Sequence, residues 1–209
     1  MKKIKLKYVI IFVLIVIFVL LFLGIKNIYD SLNTEGVKTL MTIEKYGYTL
    51  NENDSPYFKE LFEELKENLE SDDIDEKAYA ESISKLFTVD FYSLKYAVSK
   101  SDVGGLQFVY TDYQTTFKTK AKDTVYAYVE SNVYGKRKQT LPNVKNVEIK
   151  NIEQKEYESE KEYNDELVKD EEAYYVDLEI TYDKDLDYPE KVSLVIVHKD
   201  DKLEIVKMD

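Results

Sequence analysis

Val176-Asp-Leu-Glu-Ile-Thr-Tyr182 carries apolar side chains at every second position, with Asp177, Glu179 and Thr181 between them. A period of two sends alternate side chains to opposite faces of an extended chain, so this stretch reads as a β-strand with one face buried. Val192, Leu194, Ile196 and His198 repeat the pattern across Lys191, Ser193, Val195 and Val197, and Val147 and Ile149 begin it beside Glu148 and Lys150. Leu203 and Ile205 close a fourth strand. Asp200-Asp201, between two apolar runs, has the chemistry of a tight hairpin turn. The charged stretch Gln154 to Ala173 is expected to be a long hairpin loop or frayed extension.

Before Pro142 the apolar spacing is helical. Ser55 reads as an N-cap with Pro56 in the first turn, where proline's missing N–H costs nothing. Phe58, Leu61, Phe62, Leu65 and Leu69 then mark one face of an amphipathic helix. Asp73 with Glu76 three residues later fits a capping box, followed by a second helix through Tyr79, Ile83, Leu86, Phe87 and Leu94. Gly104-Gly105 marks a turn. A third helix is expected through Val109, Tyr113, Phe117, Ala121, Val125 and Tyr128, with Gly135 as its C-terminal cap. Helices followed by an antiparallel meander predict an α+β domain over residues 55–209, a helical layer packed on a curved four-stranded sheet.

The N-terminus adds an element of another kind. Tyr8 to Ile25 is an uninterrupted apolar run of 18 residues behind Lys2, Lys3, Lys5 and Lys7. At about 1.5 Å per residue it reaches roughly the thickness of a bilayer core. It is too long for a secretory signal core and lacks a small-residue cleavage site. The expectation is a single-pass transmembrane helix at 8–25, a cytoplasmic tail at 1–7, and everything beyond Ile25 outside the cytoplasm. Residues 26–54, with breakers at Gly36 and Gly47, read as a juxtamembrane stalk.

Composition narrows the function classes. The chain has 29 Lys+Arg against 41 Asp+Glu. Four of the basic residues and none of the acidic ones precede Lys26, so the exported part is near −16. Such a charge repels polyanions, and no nucleic-acid partner is expected. With no cysteine, disulfides, thiol catalysis and Cys-zinc sites are excluded.

One membrane span, a helical layer ending near Tyr134, and then a four-stranded antiparallel sheet resemble the cystatin-like or nuclear-transport-factor-like domains of bacterial conjugation and type IV secretion scaffolds. Lys85-Leu-Phe-Thr-Val-Asp-Phe-Tyr-Ser-Leu94 with Ser101-Asp-Val-Gly-Gly-Leu-Gln-Phe-Val109 is similar to segments of uncharacterised membrane-anchored proteins of Gram-positive bacteria. The resemblance implies an envelope setting and brings no catalytic residue.

The search for chemistry yields few candidates. His198 is the only histidine; with no cysteine it cannot build a zinc site, and it reads as structural. Ser82-Ile-Ser-Lys85 matches S-x-x-K, but the partner motifs reduce to Ser101-Asp102-Val103 and Lys118-Thr119-Lys120, so the match is compositional. Asp183, Asp185, Asp187 and Glu190 offer oxygen ligands of the type calcium takes, although Tyr188 and Leu194 break the EF-hand pattern; an acidic turn is the simpler reading. Asp90 lies in the otherwise apolar or aromatic run Phe87 to Tyr92, and a buried carboxylate needs a partner or a raised pKa. It is the candidate polar anchor of a ligand pocket lined by Tyr92, Tyr113 and Tyr128.

The 19 tyrosines and absent tryptophan fit an aromatic contact surface. Lys118, Lys120 and Lys122 with Lys136 to Lys138 form the one basic concentration. No cofactor or metal is expected. The favoured expectation is a non-enzymatic, membrane-anchored scaffold or binding module recruiting an envelope protein, and a homo-oligomer is compatible with it. The alternative is a carboxylate-based cell-wall hydrolase pairing Asp90 with a second acid.

Overall fold

The computed structural model describes residues 38–160 and 167–209, and within these Thr39–Asp209 forms one compact unit. The Tyr8–Ile25 run lies outside the described residues. Among them, no helix is long and apolar enough to cross a membrane. The architecture is α+β.

Of the stalk expected over residues 26–54, residues 39–54 belong instead to the folded unit. Thr39–Ile43 (β1) and Tyr48–Asn51 (β2) pair antiparallel through a turn at Gly47, whose φ of +66° glycine tolerates without a Cβ penalty. Ile43, Tyr46, Tyr48 and Leu50 are buried in the main core. Tyr46, Tyr48 and Leu50 recur at every second position, the signature of a half-buried strand. The polar breakers around them belong to the turns.

Pro56–Leu69 (α1) begins where Ser55 Oγ accepts the Phe58 N–H at 3.0 Å, as expected, and it buries Phe58, Leu61, Phe62, Leu65 and Leu69. Each such side chain contributes about 1.5–3 kcal/mol on leaving water. Glu76–Tyr92 (α2) is capped by Asp75, whose carboxylate accepts the Ala78 N–H at 3.0 Å. The Asp73/Glu76 box is thus replaced by a cap two residues later. Asn68 holds this start to the end of α1, accepting the Asp75 N–H at 3.0 Å and donating to its carbonyl at 2.8 Å.

The third helix is shorter than its apolar spacing implies: Gln114–Asp123 (α3) alone is α-helical. Val109 bridges to Ile205, and the Tyr110 N–H donates to the Ile205 carbonyl at 2.9 Å. Thr111–Tyr113 forms a 3₁₀ turn. Pairing with a strand edge therefore takes the backbone that a longer helix would need. Gly135 has φ +64° but closes a turn with Asn132 and ends no helix.

Four strands follow as a meander: Val144–Glu158 (β3), Lys169–Tyr182 (β4), Lys191–Lys199 (β5) and Lys202–Met208 (β6), ordered β3-β4-β5-β6 and all antiparallel. Asp200, with φ +53°, turns the last hairpin as its sequence predicts. In the charged stretch 154–173, residues 154–158 and 169–173 are strand, with Lys155 paired to Ala173 and Glu158 to Lys169. Glu153, Lys155, Glu158 and Lys169 point to solvent on this two-stranded arm, whereas Asp170 turns in toward β5. On one face of the sheet α2 packs across β3, β4 and β6. On the other, Tyr110, Ala173, Val195 and Val197 form a smaller buried cluster.

Candidate functional site

The four residues expected to share a pocket do not meet. Asp90 leaves the last turn of α2 toward the Gly104-Gly105 loop, and its Oδ2 accepts the Gly105 N–H at 2.6 Å. A methyl group on Gly104 would lie 2.7 Å from both the Asp90 carbonyl carbon and Oδ1, so this loop can pass only without a Cβ. Burial pushes the Asp90 carboxyl up to about 7; the Gly105 N–H pulls it down, and the charges of Asp54 and Asp102 add to the rise.

The tyrosine that does accompany Asp90 is Tyr126. Its hydroxyl accepts the Gly104 N–H at 3.1 Å and donates to the Phe91 carbonyl at 2.7 Å, satisfying a C=O that α2 leaves open at its end. Tyr128 is 88% exposed. The helix has ended at Asp123, so the i, i+3 spacing that would place Tyr128 on the face of Val125 no longer applies. Asp90 and Tyr126 together hold a loop on the helix end.

Tyr113 does line a cavity, and Tyr92 stands beside it, with its hydroxyl 3.9 Å from the Met208 sulfur. The cavity is a groove of about 640 Å³ between α3 and β6. Phe117, Ala121 and Val125 line it from the α3 side, and Ile205, Val206 and Met208 from β6. Phe91 of α2 is part of the lining, in ring contact with Phe117 at 5.2 Å. Polar groups join these walls at Thr116, Lys120, Thr124, Lys207 and Asp209.

The groove exists because α3 is poorly covered: Ala121 is its only buried residue, while Phe117 and Val125 are half-buried. A volume within roughly 300–1,000 Å³, walled by aromatic and aliphatic groups with a few polar ones, has the character of a ligand site. Lys207 is held by Asp209 at 2.8 Å, whereas Lys120 has no ion pair among the described residues. The expected Lys136–Lys138 patch is different again. Arg137 Nη1 donates to the Ala97 carbonyl at 2.7 Å and Nη2 to the Lys95 carbonyl at 2.8 Å, so the only arginine staples two loops.

His198 stays in phase with Leu194 and Ile196, on the side of the sheet that faces α2, but near the strand's end, where its side chain is 35% exposed. Its Nδ1 lies 2.8 Å from Asp170 Oδ2 and its Nε2 2.9 Å from Glu76 Oε1. The Tyr174 hydroxyl donates to the same Glu76 oxygen at 2.9 Å. Glu76 and Asp170 sit at opposite ring nitrogens and do not converge on one point. Among the described residues, no group of three or more His, Cys, Asp or Glu could hold a metal ion. The acidic stretch 183–190 folds as turns, with the Asp187 N–H on Asp185 Oδ1 and the Tyr182 hydroxyl on the Pro189 carbonyl.

Comparison with protein-family models, curated proteins and solved structures finds no match to this chain. What it can do must be argued from its own surfaces. The groove has no sequence motif; the signal for it is a short, mostly polar helix that brings only the apolar Phe117 and Ala121 to the facing strand.

Proposed function

We propose that this protein is a membrane-anchored, extracytoplasmic scaffold or binding module of the bacterial cell envelope, and that the groove between α3 and β6 is its contact site. The observation that carries the reading is the groove itself: about 640 Å³ of largely apolar space beside an incompletely covered helix. Leaving such a surface to water is unfavourable, so it is kept for an occupant. The helical layer on a four-stranded sheet agrees with a cystatin-like or nuclear-transport-factor-like domain. The Tyr8–Ile25 run supplies the single-pass anchor, with the N-terminus cytoplasmic.

The occupant is a segment of an envelope protein presenting apolar side chains flanked by Asp or Glu. Charge argues for it: in a chain with net charge −12, the groove wall carries Lys120, a cation without an ion pair among the described residues. The wall-hydrolase alternative needs two acids facing a cleft, and Asp90 draws no support as one of them because its carboxylate serves the Gly104-Gly105 loop.

The test places a photocrosslinking side chain at Thr116, exposed beside the groove, or at Asp73, exposed before the start of α2 and so at the opposite end of that helix from groove-lining Phe91, in full-length protein in membranes. A discrete envelope protein captured from Thr116 and not from Asp73, and lost when Ala121→Phe fills the groove, is the expected result. Capture of lipid alone, or equal capture from both sites, overturns the partner. Cleavage of purified wall material, abolished by Asp90→Asn, overturns the non-enzymatic reading. Protease added to intact cells that spares residues 39–209 overturns the location.

A further inference from the structure

We propose that His198 is a proton-operated latch that fastens the first turn of α2 to the end of the sheet while its ring is an imidazolium, and releases it when one ring proton leaves. Both ring nitrogens face carboxylate oxygens at hydrogen-bond distance, Asp170 Oδ2 at 2.8 Å and Glu76 Oε1 at 2.9 Å. An ionised carboxylate only accepts, and a neutral imidazole has a single N–H. Both contacts are satisfied together only when both nitrogens carry protons.

Three elements meet at this ring. Glu76 is the first residue of α2, Asp170 and Tyr174 come from β4, and His198 nears the end of β5. The β4–β5 pairing stops at Tyr174 with Ile196, and Asp170 takes over from the ladder. Its carboxylate accepts the Glu172 N–H at 2.9 Å and the His198 N–H at 2.7 Å as well as the ring Nδ1. The other titratable groups near the latch are Asp75 beside Glu76, Glu172 on β4 and the Tyr174 hydroxyl. Lys199, next in sequence, is engaged by Tyr110 and Asp112 instead.

The two carboxylates are not equivalent. The Asp170 side chain is 9% exposed and that of Glu76 50%. An unpaired carboxylate costs more where water cannot reach it. The remaining proton therefore stays on Nδ1, facing Asp170. The pair that opens is Nε2 with Glu76, leaving α2 tied there only through the Tyr174 hydroxyl.

Burial works against the charged ring, but the hydrogen bonds that the ring donates to Glu76 and Asp170 outweigh it and raise the His198 pKa above 6.5. The same contact lowers the Glu76 carboxyl below its usual range. A raised value in the folded state means that the stabilisation is complete below the unfolded histidine's pKa and fades as pH rises through the folded one.

The full chain labelled with ¹⁵N tests the latch by NMR titration of the ring nitrogens and the amides of residues 76–79. The expected result is a His198 midpoint above 6.5, with the amides titrating at the same midpoint and the protection of the Ala78 N–H, corrected for the intrinsic rise of exchange with pH, falling about tenfold above it, the size of one lost charge-assisted hydrogen bond. Glu76→Gln, an exposed change that spares the fold, should lower the midpoint, and His198→Gln should abolish the titration of those amides. A midpoint at or below 6.5, amides that do not follow the ring, or an unchanged midpoint in Glu76→Gln overturns the proposal.

Discussion

The hydroxyls of Tyr48 and Tyr79 lie 2.6 Å apart, and together they complete the backbone of Leu203 on the outer edge of β6. Tyr79 accepts the Leu203 N–H at 3.2 Å, and Tyr48 donates to the Leu203 carbonyl at 3.2 Å. Since each phenol has a single proton, Tyr79 must donate to Tyr48. Two side chains thus stand where a fifth strand would pair, joining β2, α2 and β6 in one ring.

Tyr48→Phe strands the buried Leu203 carbonyl and removes the acceptor for Tyr79. Urea unfolding should show a loss of about 1–3 kcal/mol. Tyr79→Phe should cost a similar amount, and the double variant less than the two together, because the first break already disables the ring.

Asp90→Asn should change how stability depends on pH. The folded carboxyl titrates near 7 and the unfolded one near 3.8, so its folded environment favours the neutral form. The contribution is best below about pH 4 and is lost as pH rises toward 7, at ~1.4 kcal/mol per unit and a few kcal/mol in all. Asparagine keeps an oxygen for the Gly105 N–H and carries no charge. Thermal unfolding of the variant should equal or exceed that of the parent at pH 8 and lack the decline between pH 4 and 7.

Gly104→Ala should destabilise by about 1–3 kcal/mol, because the added methyl meets the Asp90 backbone, which cannot swing aside. Gly47→Ala tests a different mechanism. Nothing lies within 4 Å of a Cβ there, so its cost is the strain of φ +66° alone, on the order of 1–2 kcal/mol. Only at Gly104 should trimming Asp90 to Ala recover part of the loss, as melting temperatures of the double variants would show.

Arg137→Lys should cost about 1–3 kcal/mol despite retaining the charge. A lysine ammonium cannot span the Lys95 and Ala97 carbonyls as the guanidinium fork does. Faster proteolysis within residues 95–100 and 130–138 would accompany the loss.

The strands of the meander and the first two helices were legible because each has a face packed on the main core, and the periods of 2 and 3.6 carry that information even where β5 and α2 bury other faces too. Tyr48 and Leu50 belong to the same class but lay in a stretch punctuated by Gly36, Gly47 and Asn51 to Asp54, where turn chemistry masked a short strand. Val109 was misread for another reason: its apolar spacing fits a helix, yet its backbone is taken by Ile205, a partner almost a hundred residues away. Of the expected site, Tyr113 reaches the groove and Tyr92 its flank, while Asp90 and Tyr128 are directed elsewhere by a glycine pair and a helix end. The Glu76–His198–Asp170 constellation is spread over three elements, and no local spacing announces it.

The sealed rim at Leu203 and Ile205 also bears on what happens when copies of the chain meet. A sheet polymerises when a neighbour's extended chain can zip onto an open border, and here part of one border is already occupied by phenols and by Val109. The opposite border, β3, bristles with Lys145, Lys150, Lys155 and alternating acids that such zipping would have to desolvate or bring face to face. Many copies can therefore stand side by side without fusing into fibres, which leaves the groove as the sticky spot and makes it the place where specificity has to be exercised.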